Sequence, residues 1–178
     1  MDIDLLVKIT ARAWALPILA LLGEGVPGRQ ASLLSRTGAG RTAFGQSLAH
    51  LMELGLLERN PGHGHPLRPE YRLTHAGQGA AAMAAEVSLI SGGPAEPLLR
   101  RAWSLPVLAV SQQPRFFTEI KQALPGITDR ALSQSLRGLQ GNNWLHREVE
   151  TDIHPPRPRY QAVGAGLRLG QAALLRAA

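Results

Sequence analysis

One string is written twice in this chain. "ARAWALPILAL" runs from Ala11 to Leu21 and "RRAWSLPVLAV" from Arg100 to Val110, so Trp14 and Pro17 recur as Trp103 and Pro106 at an offset of 89. The likeness continues. "QSLAHLMELGLLER" (Gln46 to Arg59) parallels "QSLRGLQGNNWLHR" (Gln134 to Arg147) at an offset of 88, and "RPEYRLTHAG" (Arg68 to Gly77) parallels "RPRYQAVGAG" (Arg157 to Gly166) at 89. Similarity over whole halves with a single inserted residue reads as a tandem duplication, and whatever one copy folds into, the other is bound to approximate. Two copies are too few for a solenoid, in which each unit leans on several neighbours. We expect two similar domains, residues 1–92 and 93–178, packed about a local pseudo-twofold axis.

Each half of the 178-residue chain is long enough to bury a core, and 44% apolar content argues for a folded protein. Zero cysteines exclude disulfides, thiolate metal sites and thiol redox switches, and are compatible with a reducing cytoplasm, where we expect the protein to work. The opening "MDIDLLVKIT" carries two aspartates where a secretory signal needs positive charge. The following "AWALPILALL" is ten residues interrupted by Pro17, too short to span a membrane and better read as a buried helix. The formal charge is +6, and it is unevenly placed: eight Lys and Arg face seven Asp and Glu up to residue 93, and eleven face six beyond it. A basic second copy favours a polyanionic partner such as nucleic acid.

The second copy is the easier to parse. An apolar run from Trp103 to about Gln112, with Pro106 in its first turn, makes a helix. "RFFTEIKQALPG" follows with Phe117, Ile120 and Leu124 at helical spacing. "PGIT" breaks the chain, Thr128 is placed to cap the next helix, and Asp129 falls in its first turn. That helix, "DRALSQSLRGLQ", sets Leu132, Leu136 and Leu139 on one side. Two helices joined by a tight glycine-containing turn form a helix-turn-helix. "WLHREVE" and "PRYQAV" then read as a β-hairpin with a proline-rich tip, a wing, and "GLRLGQAALLRAA" as a closing helix. The first copy repeats these elements, with "AGQGAAAMAAEVSLI" as its closing helix and "SGGP" (Ser91 to Pro94) as the linker.

The order W‑x‑L‑P‑[IV]‑L, R‑F‑x‑x‑E‑I‑K with "LPGIT", "ALSQSLRGLQ" and "PPRPRY" resembles the HxlR-type winged helix-turn-helix transcriptional regulators over nearly the whole second copy. The first copy is similar through "W‑x‑L‑P‑I‑L", "LMELGLLER" and "YRLTHAG". The resemblance implies an α+β fold of two tandem winged helix-turn-helix domains arranged as an intramolecular pseudo-dimer. Its members pair as homodimers through the closing helix, so here Ala80, Met83, Ala84 and Val87 are expected to face Leu167, Leu174 and Leu175, leaving a monomer. Some members sense aldehydes or oxidants through a cysteine, an activity this cysteine-free chain does not inherit.

In a helix-turn-helix the second helix enters the major groove and presents its outward side chains to base edges. Opposite the leucines stand Arg130, Ser133, Gln134 and Arg137, at i, i+3, i+4 and i+7. Arginine can bond guanine bidentately, glutamine adenine, and serine bases or phosphate. Arg157 and Arg159 on the wing, with Arg115 and Lys121 nearby, are candidates for phosphate contacts. The aligned first-copy residues are Thr42, Gly45, Gln46 and Ala49, so both arginines are gone and a glycine weakens the helix by about 1 kcal/mol relative to alanine. Arg41, Gln46 and His50 remain around that helix, Arg68 remains on the wing, and Glu70 replaces Arg159. Either the protein reads an asymmetric site, or the first copy serves another task.

"HGH" (His63 to His65) offers two imidazoles but no nearby carboxylates, so we assign no metal and no cofactor. Trp14 and Trp103 could flank an apolar cavity near the pseudo-twofold axis and hold an aromatic effector, or simply pack helices. Phosphate-binding glycine loops, Ser/His/Asp spacing and paired carboxylates in apolar settings do not occur, so nothing points to an enzyme. The expected function is double-stranded DNA binding in transcription regulation. The alternative is a small-molecule binding protein, sequestering or converting its ligand, repurposed from such a regulator.

Overall fold

The computed structural model describes residues 2–60, 69–94, 96–151 and 154–174. The chain is α+β, with helices predominating and two small antiparallel sheets. Its first element, α1 (Ile3–Thr10), buries Leu6 and Ile9, and the Thr10 hydroxyl donates to the Leu6 carbonyl at 3.0 Å. Helix α2 (Ala15–Gly23) is buried continuously from Ala15 to Leu21, as an apolar run without a polar face demands. Pro17 sits in its first turn, where a missing N–H leaves no hydrogen bond unmade. Helices α3 (Gln30–Thr37) and α4 (Arg41–Glu53) follow, then β1 (Leu57–Asn60), β2 (Glu70–Leu73) and α5 (His75–Ser91).

The same order recurs from α6 (Ser104–Val110) through α7 (Phe117–Ala123), α8 (Asp129–Gly141), β4 (Leu145–Glu150), β5 (Arg157–Ala162) and α9 (Gly164–Leu174). A short strand β3 (Arg115–Phe116) precedes α7. Strands β1 and β2 pair antiparallel with Arg59 opposite Tyr71; β4 and β5 pair with Arg147 opposite Tyr160. Strand β3 adds to β5 with Arg115 opposite Tyr160, giving the order β3-β5-β4. In the first half that third strand shrinks to one bridge, Arg29 to Glu70, beside a 2.7 Å bond from the Tyr71 N–H to the Gly28 carbonyl.

Three elements depart from the sequence expectation. The helix expected from Arg115 begins at Phe117, because Arg115 and Phe116 are drawn into the sheet by β5. Residues 3–10 form a helix where the sequence reading assigned no element; their counterpart in the second half only turns, since Pro94 and Pro97 stand where Leu5 and Lys8 do and proline cannot continue a helix. Leu174 is 40% exposed, so α9 buries Leu169, Ala172 and Ala173 instead. Leu175, also expected at that contact, lies outside the described residues.

Glycines set how closely the layers approach. Gly77 and Gly166, 89 apart, each lie on a backbone carbonyl, those of Leu56 and Trp144, where a methyl group would collide. Thr74 fixes the first of these junctions: its hydroxyl accepts from the Gly77 N–H at 3.0 Å and donates to the Gly55 carbonyl at 2.6 Å. Where α2 meets α5, a Cβ on Gly23 would lie 2.9 Å from the Ala81 carbonyl oxygen. Where α6 meets α9 the glycine has changed sides: Gly170 faces the Leu108 carbonyl oxygen, which would lie 2.5 Å from an added Cβ, and leaves room for the Gln112 side chain. The helices α5 and α9 also pack on each other, and α1 packs on α6. One core cluster therefore runs through both halves, from Leu6 and Ile18 to Leu108 and Ala173.

Replacing Gly77 or Gly166 by alanine should destabilise the fold by about 1–3 kcal/mol, the cost of overpacking. Gly45 on α4 has nothing within 4 Å of an added Cβ. Gly45→Ala should stabilise by up to about 1 kcal/mol. Thermal unfolding of the three variants checks both directions.

Candidate nucleic-acid interface

Helix α8 is the most strongly amphipathic segment of the second half. The Thr128 hydroxyl accepts from the Ala131 N–H at 3.2 Å and caps it, as its sequence position predicts. Leu132, Ser135, Leu136 and Leu139 are buried. Arg130, Gln134 and Arg137 are exposed on the opposite side, with Ser133 partly covered at its margin. The Arg137 Nε donates to the Ser133 carbonyl at 3.3 Å, which lays that side chain back along the helix. Before α8 the chain reverses at Gly126, whose φ of 90° favours glycine. Helix α7 buries Ile120, and its start is held by the Glu119 carboxylate accepting the Phe116 N–H at 2.6 Å.

The surrounding cations differ in how free they are. Lys121 Nζ lies 2.7 Å from the Asp129 carboxylate, so that positive charge is already met by the first residue of α8. Arg159 Nε is 2.6 Å from Glu150, and its guanidinium stacks 4.8 Å from the Phe116 ring centre. Arg157, at the start of β5, is exposed, and Arg115 on β3 is partly covered. Among the described residues Arg115, Arg130, Arg137 and Arg157 make no ion pair. Arg159 is thus pinned across the hairpin, while Arg115, Arg130, Arg137 and Arg157 remain uncompensated.

The first half places different chemistry at these positions. Arg41 opens α4 and is exposed, as are Thr42, Gln46 and Ala49. His50 turns inward, a ring nitrogen 2.7 Å from the Lys8 carbonyl oxygen, and so ties α4 to the end of α1. Glu70, aligned with Arg159, pairs with Arg29 at 3.2 Å and approaches Arg72 at 3.8 Å. Position 70 thus carries the opposite charge to Arg159, and its ion pair is made with Arg29 just before α3 rather than across the hairpin. Arg68, His63 and His65 lie outside the described residues.

Trp14 and Trp103 are both partly buried and stand immediately before α2 and α6. The Arg100 guanidinium lies 4.5 Å over the Trp14 ring, a cation–π contact between the two halves. Sequence reading missed this residue, although its signal was present: Arg100 replaces Ala11 at the aligned position of the repeated string. A crevice lined by Leu16, Pro17, Ala84, Leu99 and Arg100 has a volume of about 10 Å³, room for one water at most, and neither tryptophan lines it. Among the described residues no group of three or more His, Asp or Glu could hold a metal, and no single helix is long and apolar enough to cross a membrane.

Residues 98–175 match the HxlR-like helix-turn-helix family, a segment that runs from the turn before α6 through α9. The match takes in the capped helix α8, its leucine face and the β4–β5 hairpin, and gives the chain a helix-turn-helix domain in its second half. No curated protein and no solved structure matches the chain at a significant level.

The contact between Arg100 and Trp14 makes an energetic prediction. A double-mutant cycle of Arg100→Ala and Trp14→Phe, followed by denaturant unfolding, should return a coupling of about 0.5–2 kcal/mol. A coupling indistinguishable from zero would mean that the stack contributes nothing to holding the halves together.

Proposed function

We propose that the chain is a DNA-binding transcriptional regulator, built as a tandem pair of winged helix-turn-helix domains and reading the major groove mainly through α8. The observation that carries this reading is the exposed, uncompensated face of Arg130, Gln134 and Arg137 on the second helix of a segment that matches a helix-turn-helix family. In that role Arg130 and Arg137 offer guanidinium forks to guanine O6 and N7, and Gln134 an amide to adenine. Ser133 lies at the margin, suited to a base or a phosphate. Arg157 and Arg115 supply phosphate contacts, which position the protein without reading sequence. Lys121 and Arg159 contribute less, because each must first leave a carboxylate. The Lys121–Asp129 pair is exposed and worth only about 0–1 kcal/mol, so a phosphate can displace it, whereas Arg159 is held more firmly by a partly buried Glu150 and by stacking on Phe116.

The recurrence of elements at offsets of 88 and 89, and the packing of α5 on α9 within one chain, support an intramolecular pseudo-dimer. The first copy has Thr42 and Ala49 in place of the arginines and His50 tied inward, so it offers little to bases. The binding site should accordingly have one well-defined half and one degenerate half. A small-molecule binding protein has less to rest on, since the crevice between the copies holds only about 10 Å³.

Binding of variants across a salt series, footprinting and light scattering test this reading. Arg130→Ala with Arg137→Ala should abolish specific binding, each contact being worth roughly 1–3 kcal/mol of discrimination, while Thr42→Ala leaves it intact. Arg157→Ala should weaken all sequences alike and flatten the salt dependence. Two equally strong symmetric half-sites in a footprint would overturn the reading of the first copy, and unchanged affinity in the Arg130/Arg137 double variant would overturn the assignment to α8. Light scattering should return a monomer at micromolar concentration; a stable dimer would count against the pseudo-dimer.

A further inference from the structure

The tandem arginines Arg100 and Arg101 leave the backbone in different directions, one to Trp14 and the other to α8. If an alanine Cβ were built on Gly138, its nearest neighbours would be the Leu98 Cδ1 at 3.2 Å and an Arg101 guanidinium nitrogen at 3.4 Å. Arg101 thus lies beside α8 at Gly138, a position without a side chain. Gln134 and Gly138 are four apart and lie on one ridge of α8, so the Arg101 guanidinium stands about one turn beyond Gln134. Arg101 is exposed, and among the described residues it makes no ion pair.

Its base is fixed. The Arg101 N–H donates to the Leu98 carbonyl at 3.2 Å, and its own carbonyl accepts from the Ser104 N–H at 3.2 Å. Leu98 is buried, and the preceding Arg100 is anchored over Trp14. A cation held so close to its working position loses little freedom on binding.

A helix lying in a major groove about 12 Å wide has a phosphate backbone along each flank, so side chains beside its outward face meet phosphates rather than bases. We propose that Arg101 is a phosphate clamp for the DNA strand that borders α8 on its Gln134–Gly138 side. This rests on the reading of α8 as the recognition helix. Gly138 fits this placement, since the absence of a side chain there lets Leu98 and the Arg101 guanidinium lie close against the helix. In the first half the aligned arginine is Arg12 and the position aligned with Gly138 is His50, whose ring is taken up by the Lys8 carbonyl. The clamp therefore belongs to the second half alone.

Arg101→Ala, Arg101→Gln and Arg12→Ala can be compared with wild type by fluorescence anisotropy, on the footprinted site and on an unrelated duplex, across a salt series. Both Arg101 variants should bind roughly tenfold more weakly to both duplexes, with the salt slope reduced by about 0.9, as for one lost phosphate contact. Arg12→Ala should match wild type. Unchanged affinity and slope for the Arg101 variants would overturn the proposal while leaving the reading of α8 intact. So would a loss confined to the footprinted site, which would mean base contact, or an equal loss in Arg12→Ala, which would mean a general charge effect. Failure of the wild-type protein to bind either duplex would overturn the reading of α8 itself and the clamp with it.

Discussion

The backbone-close packing of two helix pairs, α2 on α5 and α6 on α9, is the constraint on which the remaining arrangement depends. Each pair touches at a glycine, Gly23 in one and Gly170 in the other, where a Cβ would press on the facing carbonyl. Because α5 and α9 also pack on each other, the two close pairs become a single body. Helices α3 and α4 pack against that body through α2, and α7 and α8, the helix-turn-helix of the second half, pack against it through α6. The glycine has changed partners between the halves while the close approach persists. What is retained is therefore the distance between helices, and not the identity of the residue that permits it.

On this frame, electrostatics divide the cations of the second half into two sets. Lys121 and Arg159 are held by Asp129 and Glu150, while Arg130, Arg137 and Arg157 face water without a carboxylate. The first set shapes the turn before α8 and the hairpin, and the second is available to a polyanion. The Lys121–Asp129 pair is exposed enough for solvent to screen it, so it orients side chains more than it stabilises the fold. In the first half Glu70 stands where the sequence aligns Arg159, and it pairs with Arg29 before α3 rather than across the hairpin.

Much of this was legible from residue order alone. The repeat at offsets of 88 and 89 located every matched helix and strand, and Leu132, Leu136 and Leu139 on one side of α8 located Arg130, Gln134 and Arg137 on the other. Thr128 as a cap was equally plain, because a cap and the N–H it accepts lie three residues apart. These features share a cause: helical periodicity, capping and turn chemistry are set by near neighbours along the chain.

What tertiary structure decided are the partnerships between distant residues. Whether Arg159 is free or bound depends on Glu150 across the hairpin and Phe116 on a third strand, and no spacing rule announces that meeting. The same holds for His50 on the Lys8 carbonyl, for Arg100 over Trp14, and for Leu174 left exposed beside buried Ala172 and Ala173. Sequence by itself determined most of the elements and the buried face of α8, since those depend on local period and burial of apolar area, whereas the strand β3 and the buried face of α9 were set by packing. The charges left for function were decided only once packing had brought acids and bases from different elements within reach, because an ion pair is fixed by distance in space.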